Sequence, residues 1–321
     1  MTKARLIDTH RHYWGVGWDP VQRVESYTQG MYGVSLEEAW YRYKQDKDGS
    51  VMMKQVEEFD IDTVILHTVD SGLAYPGDTP TDIEHINKFQ CEMAERYKGK
   101  VYSLFGIDPR RPGGIKMFEK AVKEWGAIGL SFWPIAGFYA NDPICYAYYQ
   151  KCIDLDVPVT IHTGAQHASG LLNKYGDPIH VEEIARDLPD LKIIMCHTGF
   201  DKYPSDWFWE KAVIVASCKP NVYVDVADWQ REYTCDVLAD MPKFWYKMKT
   251  MRHVLGANKI MFGTDMPSYK MGHVESDIKL TKQWVKIFRN LPEEGKKYGA
   301  TFTEEEAALI MHGNAERVFK V

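Results

Sequence analysis

Eight short apolar runs alternate with helix-like segments along almost the whole chain of 321 residues. Such continuous runs are typical of parallel strands buried on both faces, and the alternation predicts a parallel sheet covered by helices. Eight units in one chain favour a single (β/α)8 TIM barrel of the α/β class over an open doubly wound sheet. We expect one domain over residues 1–321. The predicted strands are 5–12, 62–68, 101–108, 127–133, 157–164, 191–199, 221–228 and 259–267.

The segment 13–49 interrupts this alternation and is rich in Trp and Tyr. Only residues 35–45 have a helical pattern there, with Ser35 as N-cap and Glu38 completing a capping box. We expect this aromatic-rich insertion to form a wall or lid over a site at the end of the first strand, with an interface cover as the alternative.

Composition excludes several classes of function. The net charge of −6 argues against a nucleic-acid partner, because no basic excess is present to neutralise phosphates. No apolar run has the length of a membrane span, the N-terminus has no signal-peptide pattern, and the six cysteines are scattered without a C-x-x-C pair. These features predict a cytoplasmic protein with reduced thiols. No G-x-G-x-x-G follows the first strand, which removes the usual sign of a dinucleotide site.

Ligand-type residues end several of the predicted strands. His10 and His12 end the first, His162 the fifth, His197 the sixth, and Asp265 the eighth. Active sites of such barrels lie at the carboxyl ends of the strands, so these side chains are expected to meet there. Imidazole and carboxylate groups are common metal ligands, and this set predicts a metal site.

Strand alternation makes further predictions around the histidine pair. Asp8, His10 and His12 are expected on one face of the first strand, with Asp8 supporting the two imidazoles and Arg11 pointing away. By the same alternation Cys196 is expected to face away from His197 and to be a core residue, not a nucleophile.

Five segments resemble successive motifs of the amidohydrolase superfamily: RLIDTHRH, PVTIHTG, IIMCHTGF, IMFGTDMP and IMHGNAERVF. The similarity extends from Leu6 to Phe319, excluding the aromatic insertion. The most similar branch is "amidohydrolase 2", which is related to aminocarboxymuconate-semialdehyde decarboxylase and resorcylate-type decarboxylases.

The resemblance implies a ligand set of His10, His12, His162 and Asp265. His197 is then the neighbouring acid or base, with Asp265 also able to accept a proton. Relatives with two metals often carry a bridging Lys on the fourth strand, where this chain has Ser131, so one divalent ion is expected. Zn is the first expectation from the ligand types, and Mn, Fe or Co would fit the same set.

Four aromatic residues are candidate substrate contacts because they lie at strand ends or in the segments that follow them. They are Trp14, His67, Trp133 and His167. A structural hydrogen bond is an equally good explanation of His67.

The first functional hypothesis is a metal-dependent hydrolase, in which a metal-activated water opens an amide, lactam, lactone or similar bond of a small cyclic or aromatic substrate. The alternative is a non-oxidative decarboxylase of a small unsaturated or aromatic acid, because the family uses one constellation for both reactions. A decarboxylase needs cations to hold a carboxylate, and Lys202 and Arg231 are candidates. A metal-free binding protein is the third hypothesis. The family habit implies a homodimer or a higher homo-oligomer.

Overall fold

The computed structural model describes residues 4–32, 35, 37, 44, 46–166, 168, 170–201, 206–230, 240–267 and 274–321. Its centre is a sheet of eight parallel strands in which each strand pairs with its neighbours in sequence. The strands are Ile7–Arg11 (β1), Thr63–His67 (β2), Val101–Gly106 (β3), Leu130–Phe132 (β4), Val159–Gly164 (β5), Ile193–Phe200 (β6), Val222–Asp225 (β7) and Ile260–Met261 (β8).

Backbone hydrogen bonds join the two edges of this sheet. Thr9 N donates to Phe262 O at 3.1 Å, and His12 N donates to Met266 O at 2.7 Å. In the other direction, Asp265 N donates to His10 O at 2.7 Å. The first and last strands therefore lie side by side, and the predicted (β/α)8 barrel is confirmed.

Both faces of the strands are buried, which explains why their sequences are continuously apolar. One cluster of buried apolar side chains fills the barrel interior and continues onto the C-terminal helix. It contains Ile7, Ile65, Leu104, Ile194, Met261, Val318 and Phe319. The side chains that alternate with these, such as Leu6, Val64 and Leu66, belong to the larger cluster between strands and helices. Successive residues of one strand thus face two different cores.

Helices follow the strands within the described part of the chain. They are Val21–Tyr32 (α1), Ser50–Glu58 (α2), Ile83–Arg96 (α3), Gly114–Lys120 (α4), Pro143–Asp154 (α5), Ile179–Asp187 (α6), Trp207–Cys218 (α7), Met241–Leu255 (α8), Val274–Arg289 (α9), Leu291–Lys296 (α10), Glu304–Ala308 (α11) and Asn314–Phe319 (α12). A π-helical turn, Ala121–Trp125, continues α4, and another, Leu309–Gly313, joins α11 to α12. Short 3₁₀ turns at Gly72–Ala74, Pro134–Ala136, Asn173–Gly176 and Ala257–Lys259 complete the regular structure.

Helix α1 was not expected from the sequence. Its residues lack a clear apolar periodicity, and several of them are polar or have low helix propensity. The helix begins directly after Pro20 and buries Arg23 and Val24, so tertiary contacts stabilise a segment whose own propensity is weak. The predicted helix at 35–45 lies almost entirely outside the described residues.

Among the residues that the structure describes, no helix combines the length and the apolar character needed to cross a bilayer.

Candidate metal centre at the carboxyl end of the barrel

The predicted ligand-type residues gather at the carboxyl ends of the strands. His10 and His12 lie at the end of β1, His162 in β5, His197 in β6, and Asp265 in the segment after β8. The four imidazoles are buried, while the Asp265 side chain is 14% exposed. The barrel therefore brings side chains that are distant in sequence to one place, with the carboxylate nearest to solvent.

His10, His12 and Asp265 bring three possible metal-binding atoms close together. Asp265 Oδ1 lies 2.9 Å from His12 Nε2 and 3.5 Å from His10 Nε2. One donor atom from each of the three residues lies within 4.8 Å of the other two. Two imidazole nitrogens and a carboxylate oxygen at this spacing can coordinate one divalent ion.

The hydrogen-bond partners of three imidazoles determine which ring nitrogen carries the hydrogen. His12 Nδ1 lies 2.9 Å from His67 O, and His197 Nδ1 lies 3.1 Å from Ala227 O. A carbonyl oxygen only accepts, so both Nδ1 atoms are donors. His10 Nδ1 lies 3.1 Å from the carboxylate of Asp225. In each neutral ring the Nε2 lone pair then remains for a metal ion or a proton.

His162 and His197 lie next to this group. The rings of His162 and His197 are 4.7 Å apart, and the rings of His197 and His10 are 4.6 Å apart. Within the described ranges, the close sets of donor atoms do not include His162. The structure thus places His162 against His197, and its assignment as a fourth ligand stays a prediction.

His67 stacks on the ring of His10. The two rings are stacked at 4.1 Å and are nearly parallel, and His67 Nε2 donates to Thr9 O at 2.8 Å. Its side chain therefore supports the His10 ring, and its predicted contact with substrate stays a prediction. Residue 167, the other histidine predicted to contact substrate, lies outside the described residues, as do Lys202 and Arg231.

The prediction that Cys196 faces away from the site is wrong. Its sulfur lies within 4.8 Å of donor nitrogens of His10 and His67. Strand alternation fails here because His197 and Thr198 have left-handed backbones, with φ of 64° and 49°. Each such residue costs about 1–2 kcal/mol. The left-handed turn allows neighbouring side chains of β6 to approach the same site. Trp229 Nε1 stabilises the turn by donating to His197 O at 2.9 Å.

The expected common face of Asp8, His10 and His12 is also wrong, because the pairing of β1 with β2 is irregular between Asp8 and Arg11. Asp8 accepts hydrogen bonds from Thr264 N and Oγ1 at 2.9 and 2.6 Å. It also lies 4.0 Å from Arg11, which packs outward toward helix α2. Asp8 supports the site by holding the segment before Asp265, not by contacting the imidazoles.

Burial and neighbouring charges shift several pKa values in the cluster. Burial lowers the pKa of His197, and burial together with the neighbouring His10 and His12 holds the pKa of His67 well below its usual value. Burial opposes ionisation of Asp265, but the hydrogen bond and charge of His12 outweigh it and hold the Asp265 pKa well below its usual range.

Three more buried side chains of the site have shifted pKa values. Burial lowers the pKa of His10, but Cys196 and Asp225 outweigh it and raise that pKa well above its usual value. Burial opposes ionisation of Asp225, but His10 lowers its pKa overall. Burial raises the pKa of the Cys196 thiol to about 12, so this thiol is protonated at neutral pH and is a poor nucleophile, as expected.

Two tryptophans predicted to contact substrate lie beside the imidazoles. The Trp14 ring is 5.0 Å from His12, and the Trp133 ring is 5.9 Å from His162. The Arg23 guanidinium lies 4.4 Å from the Trp133 ring and 5.4 Å from the Trp14 ring. Two aromatic rings and a cation thus form one side of the site.

Sequence reasoning missed Asp225 and Arg23. Asp225 ends the apolar strand β7 as Asp265 follows β8, and that position was a usable signal. Arg23 lies in a helix without visible periodicity, and no pattern marked it.

Comparison with known proteins gives a family and a shared fold. A family model described as amidohydrolase matches residues 7–321. A 2-keto-4-carboxy-3-hexenedioate hydratase from Sphingobium sp. is 25% identical over 231 residues, and the match spans 64% of this chain and 60% of the hydratase.

Two solved structures have the same fold along nearly their whole length. 5-Carboxyvanillate decarboxylase from Sphingomonas paucimobilis is 14% identical, with a TM-score of 0.67 over 99% of each chain. Dihydroxybenzoic acid decarboxylase from Polaromonas sp. is 17% identical, with a TM-score of 0.64 over 99% of this chain and 97% of that chain; its structure contains manganese and the inhibitor 2-nitroresorcinol.

Proposed function

This chain belongs to the amidohydrolase family, and on that premise we propose that it is a metal-dependent, non-oxidative decarboxylase of a small aromatic or unsaturated carboxylic acid. The observation that carries the proposal is the cluster of His10, His12 and Asp265 beside His197 at the carboxyl end of the barrel. The two structural neighbours described above are decarboxylases of aromatic acids, which favours this alternative over the hydrolase that we first expected.

The donor set fits a divalent ion. His10 and His12 offer Nε2 atoms, Asp265 offers Oδ1, and we propose His162 as a further ligand after a small movement. A divalent ion held by these residues would supply a Lewis acid for substrate oxygens and for the negative charge that develops as a carbon–carbon bond breaks. Nitrogen and oxygen donors suit both Mn²⁺ and Zn²⁺. Manganese in the Polaromonas structure supports Mn²⁺ as strongly as the ligand types support Zn²⁺.

His197 is the proposed proton donor. Decarboxylation replaces the bond to the carboxylate carbon with a bond to hydrogen, so one proton must reach the carbon that loses CO2. His197 Nδ1 is held by Ala227 O at 3.1 Å, which leaves Nε2 to carry and release that proton. Burial lowers the pKa of His197, so its protonated form gives up the proton readily.

The wall of Trp14 and Trp133 suits a flat substrate. Aromatic rings offer contact area to a planar ring, and the Arg23 guanidinium beside them is paired with Asp19. Trp14 contacts His12, and Trp133 contacts His162, so a ring lying against them is next to the proposed ligands.

Addition of water, as hydrolysis or hydration, is the second candidate reaction. It is favoured by the 25% identity with the Sphingobium hydratase. The same residues would then orient a water molecule, with Asp265 accepting its proton.

The test is CO2 release by the purified protein supplied with Mn²⁺ or Zn²⁺, using 5-carboxyvanillate, dihydroxybenzoates and related acids as substrates. In D2O the product should carry one deuterium at the carbon that loses CO2. His197→Gln should lower kcat about 10²–10⁴-fold, the usual contribution of a positioned acid. His180→Gln is the control, because His180 lies in α6 and its ring contacts Tyr139, away from the cluster. Turnover of lactones or enoic acids without CO2 release would replace this proposal by the second candidate.

A further inference from the structure

We propose that Asp225 is a positioning residue that aims His10 at the metal ion and fixes the backbone of His197 through the same carboxylate. The inference deepens the proposed function and rests on it, because it requires His10 to bind the ion. Asp225 ends β7 and is 1% exposed, so its carboxylate is held inside the barrel and not in solvent.

The two carboxylate oxygens have different partners. Oδ2 lies 3.1 Å from His10 Nδ1. Oδ1 accepts a hydrogen bond from His197 N at 2.8 Å and another from Ala227 N at 3.1 Å. All three partners are donors, so an ionised carboxylate satisfies every one of them.

The contact with His10 determines where the other edge of its ring points. The two nitrogens of an imidazole point in diverging directions, and an acceptor on Nδ1 leaves the Nε2 lone pair unprotonated. His10 Nε2 faces Asp265 Oδ1 at 3.5 Å, beside His12 Nε2. A carboxylate behind a metal-binding histidine fixes the orientation of the ring and increases its basicity as a ligand.

The contact with His197 stabilises an unfavourable backbone. His197 has a φ of 64°, a conformation that residues with a side chain rarely adopt. Asp225 Oδ1 binds the amide of this residue directly. The carboxylate thereby sets the position of the ligand His10 relative to the proposed proton donor, whose ring lies 4.6 Å away.

Asparagine cannot replace Asp225 in this role, although it has almost the same shape. An amide has one acceptor oxygen and one donor NH2 group. If the oxygen faces His197 N, the NH2 group faces His10 Nδ1 and moves the ring hydrogen to Nε2, the nitrogen that should bind the ion. If the amide is turned, its NH2 group meets the backbone donors of His197 and Ala227.

The experiment compares Asp225→Asn with Asp70→Asn. Asp70 is a matched control because it is also buried near the end of a strand, and it accepts hydrogen bonds from Arg111 Nε at 2.6 Å and Asp108 N at 2.8 Å. Zn²⁺ affinity is measured by competition with a chromophoric chelator, and the visible spectrum of the Co²⁺-loaded protein reports the ligand geometry.

Asp225→Asn should bind Zn²⁺ about 10- to 100-fold more weakly than the wild type and change the Co²⁺ spectrum. Asp70→Asn should match the wild type in both measurements. A folded Asp225→Asn variant with wild-type affinity and spectrum overturns the inference and leaves the proposed function intact.

A second measurement on the wild type covers the case in which Asp225→Asn does not fold. In the ¹⁵N-histidine spectrum of the Zn²⁺-loaded protein, His10 should carry its hydrogen on Nδ1. A hydrogen on Nε2 overturns the inference. A wild-type protein that binds no Zn²⁺ overturns both the inference and the metal-dependent function.

Discussion

Replacing Arg23 by Met should destabilise the protein and loosen the segment that follows β1. The Arg23 guanidinium contacts Asp19 and lies 3.1 Å from Ser71 Oγ, and Ser71 Oγ lies 3.0 Å from Asp19 Oδ1. Both charged side chains are 3% exposed. The contact joins the start of α1 to the loop after β2, and it therefore ties part of the predicted lid to the barrel.

The structure sets the size of the effect. Removing one partner of a buried ion pair costs about 3–5 kcal/mol, because the remaining charge is left in a medium of low polarity. We expect Arg23→Met and Asp19→Asn each to lower the free energy of unfolding by about that amount. The double variant leaves neither charge behind, so it should cost about 2–3 kcal/mol less than the sum of the single changes.

Urea unfolding followed by tryptophan fluorescence measures this double-mutant cycle, and hydrogen exchange of the amides in Val21–Tyr32 shows whether α1 opens locally. Glu119 and Lys123 provide the control: this pair has the same spacing in sequence, but its side chains are 35% and 58% exposed. Its single variants should change the free energy of unfolding by less than about 1 kcal/mol. Additivity of the Arg23 and Asp19 changes within about 0.5 kcal/mol would refute the reasoning.

Three further predictions concern stability. Gly164→Ala should lower the free energy of unfolding by about 2–4 kcal/mol, because the φ of Gly164 is 106° and a Cβ atom there would lie 2.4 Å from Phe200 O. Thermal unfolding is the measurement, and Gly113→Ala should be milder because no atom lies within 4 Å of its Cβ position. Trp229→Phe removes the hydrogen-bond donor to His197 O. Chemical unfolding should then show a free energy of unfolding lower by about 1–3 kcal/mol, and an unchanged value contradicts the role of that bond. The hydrogen bond from Arg111 lowers the pKa of Asp78, so its stabilisation is present above the unfolded-state pKa of about 4 and is lost as the pH falls below it. Asp78→Asn should therefore flatten the acid side of a plot of melting temperature against pH, and an unaltered slope would count against this pair.

Most of the barrel could be predicted from the sequence because strands buried on both faces have a simple pattern. The run from Val64 to Leu66 is apolar at every position since alternate side chains enter two different cores. Pairing of neighbouring strands then follows from their order along the chain. The predicted strand ends were too long by a few residues, most clearly in β8, because the chain leaves the ladder after Met261 while remaining apolar at Phe262.

The details of the site were less predictable, because they depend on backbone geometry that a period of two does not describe. The irregular pairing in β1 separates Asp8 from the imidazoles. Left-handed residues at His197 and Asp265, with φ of 64° and 55°, redirect side chains at the ends of two strands. A sequence of ordinary L residues gives no signal for such turns, so the surroundings of Cys196 were predicted wrongly.

Long-range polar contacts were the other feature of the site that could not be predicted from the sequence. Asp225 and His10 are 215 positions apart, and their contact exists only because β7 and β1 share the barrel end. The helix that carries Arg23 is stabilised by burial and ion pairing and not by its own propensity. Residue types at strand ends could indicate a metal site, but they could not show which side chains hydrogen-bond to the proposed metal ligands.

The most direct test of the account is the metal content of the purified protein after incubation with Mn²⁺ or Zn²⁺ and removal of excess ion. With Ser131 at the position where a bridging Lys is common in relatives, the account predicts one ion per chain in the wild type. It predicts a loss of that ion in His12→Ala, because His12 Nε2 lies 2.9 Å from the proposed carboxylate ligand Asp265. Two ions per chain, no ion, or full retention in His12→Ala would contradict it.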